Sequence, residues 1–205
     1  MLAEAYDFHV YHVDEAFEEH RQRVTVAKQP MLHKWADTPW SDLWMRPTDV
    51  LLQETVACYE ELFDMVLEDL PSLSGRKPIL VEGACLLPYR VDEVLSRREQ
   101  GVWLVPTERF QRAWHSGGGT WAEGVLRECD APEQASRNWL DRDVAVARWM
   151  LEQARGLGLI CIEVDGRRAV TENARIVAGH FGLVKSWMPK HQHGEGGPAF
   201  RDLSG

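Results

Sequence analysis

Two sets of side chains in this sequence are spaced for chemistry. The first is acidic. Asp14 and Glu15 close the run FHVYHVDE, and Glu82 closes the run ILVEG. Both runs predict short strands, and in an open α/β sheet ligands bind beyond the carboxyl ends of the strands. Carboxylates placed there can hold Mg²⁺ through water, orient a substrate hydroxyl or take its proton. A helix cap or a solvated turn acid would have the same spacing. The second set is cationic. Arg109 and Arg112 follow the run VWLVP, and Arg137, Arg142 and Arg148 lie in RNWLDRDVAVAR. Guanidinium forks match phosphate oxygens and stabilise the charge that spreads during phosphoryl transfer. An ordinary solvated helix face also looks like this.

The remaining reactive residue types are less organised. Trp35, Trp40 and Trp44 follow the Asp14–Glu15 strand end, where they fit either core packing or the wall of a substrate pocket. Cys58, Cys85, Cys129 and Cys161 are scattered with no Cys-x-x-Cys pair, the usage of small buried hydrophobes rather than of a disulfide or zinc framework. His9 and His12 are three apart on a strand and so point to opposite faces, which makes them a poor ligand pair. His191 and His193 lie in a glycine-rich tail that offers only incidental metal binding. No Gly-x-Ser-x-Gly elbow occurs.

The elements that must position these groups follow from periodicity. Residues 8–13 predict a strand, 16–46 helical pieces, and 48–69 one amphipathic helix with apolar positions three and four apart, stopped by Pro71. Residues 79–83, 102–106 and 159–166 are continuous apolar runs, which predict strands buried on both faces of a parallel sheet. Helices are expected at 89–98, from Thr107 (a cap) through Ala113, from an Asp130/Glu133 capping box to about Arg155, and from a Thr171 cap to Gly182. Strands alternating with helices predict an α/β fold with a mostly parallel sheet between helices. One domain spans 1–183, and 184–205 is a loop-like tail. Segment 114–136, rich in glycine and tryptophan, is expected to be a lid, less ordered without ligand than its flanking helices.

Composition narrows the partners. The 205 residues carry 23 basic and 32 acidic side chains, a net charge of −9, and 44% are hydrophobic. Such a chain folds around a core but does not grip nucleic acid through its phosphates. No apolar run is long enough to span a membrane, and the first residues carry acids where a signal peptide needs a basic flank. A soluble, cytoplasmic protein acting on a small molecule is expected.

The order YHVDEAFEEH, ILVEGACLLP, VWLVPTERF, a Gly/Trp segment, NWLDRDVAVARW and LICIEVDG resembles the P-loop kinase group, which includes shikimate and adenylate kinases. The resemblance covers about residues 1–183. It implies transfer of the ATP γ-phosphoryl group to a small acceptor. Asp14 would be catalytic and Glu15 would face the acceptor, with Trp35, Trp40 and Trp44 in the substrate pocket. Glu82 would stand near Mg²⁺, Arg109 and Arg112 by the cofactor, and Arg137 and Arg142 would reach from the lid. One departure is large: no G-x-x-x-x-G-K-[ST] occurs in these residues, since GRKP (75–78) precedes a strand and GGGT (117–120) lacks lysine. In the resembled fold a strand, the phosphate loop and a helix come first. The expectation is therefore a natural protein longer by roughly 20 residues at its N-terminus, the length of a strand, a turn and part of a helix. The alternative is a non-enzymatic ligand- or partner-binding α/β protein that has lost its nucleotide site.

Overall fold

The computed structural model describes residues 1–73, 75, 77–115 and 120–183. A short helix, α1 (Leu2–Tyr6), closes on Asp7 in the left-handed conformation and feeds β1 (His9–His12). Three helices follow: α2 (Val13–Arg23), α3 (Pro30–Ala36) and α4 (Trp40–Trp44). The long α5 (Thr48–Asp69) has the predicted limits. Its buried face carries Leu51, Thr55, Cys58, Leu62 and Met65, at the three- and four-residue steps that put side chains on one side of a helix. Then come β2 (Ile79–Glu82), α6 (Pro88–Val94), β3 (Trp103–Pro106), α7 (Glu108–His115), α8 (Thr120–Arg127), α9 (Pro132–Gly156), β4 (Cys161–Val164) and α10 (Val170–His180).

Both strand pairings are parallel, as continuous apolar strands separated by helices require. β1 pairs with β2 in the register His9↔Ile79 to His12↔Glu82. β3 pairs with β4 from Trp103↔Cys161 to Pro106↔Val164. The pairs form two separate sheets, β1-β2 and β3-β4. This division corrects the expectation of strands buried on both faces. Ile79, Leu80 and Val81 are only half-buried, and Leu104 is 48% exposed, because among the described residues β2 and β3 each have a neighbour along one edge alone.

The helices join the two sheets. α5 packs along α9, and three apolar clusters result. Val13, Leu62, Val66 and Cys85 join β2 to α2 and α5. Trp103, Val105, Ala154 and Leu159 join β3 to α9. Leu43, Trp44, Leu51, Val125 and Ala135 unite α4, α5, α8 and α9. Cys58, Cys85 and Cys129 are buried free thiols inside this packing, and Cys161 is half-buried on β4.

Several helix ends differ from the sequence reading. Thr107 does cap α7, its hydroxyl accepting from the Phe110 N–H at 3.3 Å. The Asp130/Glu133 capping box does not form. Pro132 occupies the first turn and fixes the start of α9 after Ala131, while the Asp130 N–H donates to Ser41 Oγ at 2.7 Å. Thr171 lies inside the first turn of α10, after Ala169, and so cannot cap it. α6 ends at Val94 because Leu95 is extended, and α10 ends at His180, two residues before Gly182. The centre of the expected lid, 116–119, and the tail, 184–205, lie outside the described residues.

Candidate functional site

Parallel pairing sets the first part of the site. The register puts His12, the last residue of β1, opposite Glu82, the last residue of β2. Their side chains meet, with His12 Nδ1 2.5 Å from Glu82 Oε1. The strand does not reach Asp14 and Glu15 as expected: α2 begins at Val13, directly after His12, and both acids lie in its first turn, a favourable place at a helix N-terminus. Asp14 reaches solvent, yet burial by the surrounding protein and then the neighbouring Glu82 charge push its carboxyl up; His12 opposes this more weakly. Glu15 is exposed beside it.

Gly83 lets the chain turn away directly after Glu82. Its φ is +156°, and a Cβ there would stand 2.5 Å from Val13 Cβ, so only glycine lets the end of β2 close against the start of α2. The carboxylates thus sit on a rigid corner where a strand end, a helix start and their packing coincide.

This corner rims a cavity of about 1340 Å³. Along its length the walls are β2 and β3, and Met1, Leu2 and Ala3 at the start of α1, Val177 and Phe181 also line it. Two further lining residues hold buried acceptors without a hydrogen-bond partner among the described residues, Gln111 Oε1 and Asn173 Oδ1.

The other sequence candidates lie elsewhere. Trp44 is 2% exposed and stacks on Trp139 with ring centroids 4.3 Å apart and planes within 3°. Trp35 meets Trp44 edge-on, and Trp35 and Trp40 are half-buried against the same cluster. Arg142 is 8% exposed. Its guanidinium lies 5.0 Å from the Trp44 ring, donates to Thr55 Oγ1 at 3.1 Å and pairs with Asp143 at 2.8 Å. Arg112 pairs with Glu108 and Asp141 on the surface. Arg109 is exposed on α7, and Arg137 is exposed on α9 with Gln134 and Glu133 as neighbours. The structure therefore brings Asp14 and Glu82 together, and joins Arg142 to the tryptophans, but does not gather the arginines around the acids.

Two polar networks escaped sequence reasoning. Glu54, inside α5, receives hydrogen bonds from Lys34, Trp35 and Arg46. Asp69 receives Tyr11, His20 and Arg23, with His20 1% exposed. Each carboxylate sits on the long helix while its partners come from 8 to 58 residues away, so no local spacing announces them. The His12–Glu82 pair had a usable signal: both residues end their strands, and adjacent parallel strands bring their ends together.

Among the described residues no group of three or more His, Cys, Asp or Glu could hold a metal ion by itself. Asp14 and Glu82 supply two carboxylates, which suits Mg²⁺ only when water and ligand phosphate oxygens complete its shell. Among the described residues no helix is long and apolar enough to cross a membrane. No family model, curated protein or solved structure matches this chain, so its own geometry carries the functional argument.

Proposed function

We propose that this chain forms the body of an ATP-dependent small-molecule kinase with a P-loop-type core, whose first strand and phosphate loop lie outside these residues. The observation that supports this reading best is the pair of carboxylates on the rim of one large cavity, Glu82 at the end of β2 and Asp14 in the first turn of α2, two residues beyond the end of the parallel neighbour β1. Asp14 takes the proton of the acceptor hydroxyl. Its raised carboxyl is a stronger base than a free aspartate, and general base catalysis gains from that shift toward neutral pH. Glu82, fixed by His12, would hold Mg²⁺ through water, and the ion would offset phosphate charge when bound. Glu15 is exposed beside Asp14 and does not line the cavity, so a role toward the acceptor would need a ligand that extends past the rim. Arg109 and Arg137 are exposed but do not line the cavity, so they would have to approach the acids to serve the phosphates, and Arg142 would also have to leave three partners.

The test is calorimetry with MgATP and a coupled ADP-release assay over a panel of hydroxyl acceptors. Both are run on this chain and on the product of the in-frame codons upstream of Met1. Phosphotransfer that falls about 10²- to 10⁴-fold in Asp14→Asn, with the thermal midpoint not lowered, supports the reading. The apolar walls of the cavity favour a second reading, a non-enzymatic binding protein. Absence of MgATP binding in both forms selects it.

A further inference from the structure

We propose that the cavity between the two sheets is a docking site for one more β-strand, running parallel to β2 and β3, supplied by the same polypeptide on the N-terminal side of α1. Successive peptide groups of a strand point to opposite sides in the plane of the sheet. The His9 N–H donates to the Pro78 carbonyl, and His9 is opposite Ile79. It follows that Leu80 and Glu82 turn their peptide groups toward β1, while Ile79 and Val81 turn theirs away from it. On the other side the Trp103 N–H donates to the Ile160 carbonyl and the Thr107 N–H to the Val164 carbonyl. Trp103 and Val105 therefore face β4, and Leu104 faces away. All four residues of β2 and all four of β3 line the cavity, against two of β1 and one of β4. The two edges that have no strand partner among the described residues thus front the same space.

Three further features describe the occupant. β2 and β3 are each four residues long, so the strand that matches them has about four to six residues. The half-buried Ile79, Leu80 and Val81 and the exposed Leu104 call for apolar side chains on it. Gln111 and Asn173 hold buried acceptors on the cavity wall that have no partner among the described residues, which calls for added N–H donors.

The source follows from the topology. Parallel neighbours need a crossover, usually helical, between them. α1 leads directly into β1, lines the cavity through Met1, Leu2 and Ala3, and is tied down by Tyr6 OH donating to the Leu183 carbonyl at 3.1 Å. A strand joined to α1 by a tight turn enters the cavity without a long connection. This inference does not depend on ATP, because any apolar strand in that place would pair with both edges whether or not a phosphate loop follows it.

Amide exchange followed by NMR tests it. In the 205-residue chain the Ile79, Val81 and Leu104 amides should exchange freely, while those of Leu80, Glu82 and Val105 are protected. In the product of the upstream in-frame codons the first three should slow by at least about 100-fold. Equal rates in the two forms, or a stop codon immediately upstream, overturn the proposal. Protection already present in the 205-residue chain also overturns it, and a chain ending at residue 183 then shows whether the tail is the occupant. Slowed exchange without MgATP binding keeps the strand and rejects the kinase.

Discussion

Arg142 shows how a side chain that looks available in sequence can be committed in the fold. Between Trp44, Thr55 and Asp143 it has a ring face, a hydroxyl and a carboxylate as partners. Breaking a nearly buried charged group out of such contacts costs more than removing a surface arginine. Arg142→Ala should therefore lower stability by about 1–3 kcal/mol, while Arg137→Ala stays within about 0.5 kcal/mol. Urea titrations of the two variants check this, and equal midpoints would contradict it. Asp14 behaves in the opposite sense. Its raised carboxyl means that ionisation opposes folding slightly, so the group is held for something other than stability.

At the scale of elements, the corner between β2 and α2 depends on one missing side chain. Gly83→Ala would drive a Cβ into Val13, which is 1% exposed and cannot yield without moving α2. The expected loss is about 1–3 kcal/mol. It should come with altered chemical shifts at His12, Asp14 and Glu82; an unchanged thermal midpoint would show that the corner is softer than its geometry implies. Much of this architecture was legible from residue spacing. α5 announced itself through apolar positions at steps of three and four, and the four strands through short apolar runs bounded by turn residues. Glu82 at the end of β2 was legible for the same reason, since a strand end is a local property, whereas Asp14 and Glu15, expected to close β1, open α2 instead. What stayed hidden is long-range. Trp139 lies 95 positions from the Trp44 it stacks on, and Asp69 collects Tyr11, His20 and Arg23 from another part of the chain. The division of the sheet was equally invisible, because an apolar run looks the same with one paired edge or two.

For the whole molecule, two carboxylates set the response to acid. Burial would raise both Glu54 and Asp69, but hydrogen bonds outweigh it: from Lys34, Arg46 and Trp35 on Glu54, and from Tyr11, His20 and Arg23 on Asp69. Both end below their ordinary range. A carboxyl whose folded value is depressed contributes stability above its unfolded value, about 4, and that contribution is lost as pH falls through the folded value. Thermal midpoints should hold near neutrality and drop below about pH 4. The drop should be shallower in Asp69→Asn, which starts lower because Tyr11, His20 and Arg23 lose a charged acceptor; an equal slope in that variant would mean that other groups control acid unfolding. The buried thiols have a separate use as built-in timers. Burial, with help from Asp14, pushes Cys85 up to about 12, and it also raises Cys58, Cys129 and Cys161. Only a thiolate attacks a disulfide reagent, so labelling at neutral pH must wait until an element opens to water. Cys161 on β4 should label first and Cys58 on α5 last, and mass spectrometry of timed samples would rank the elements by how often each one breathes.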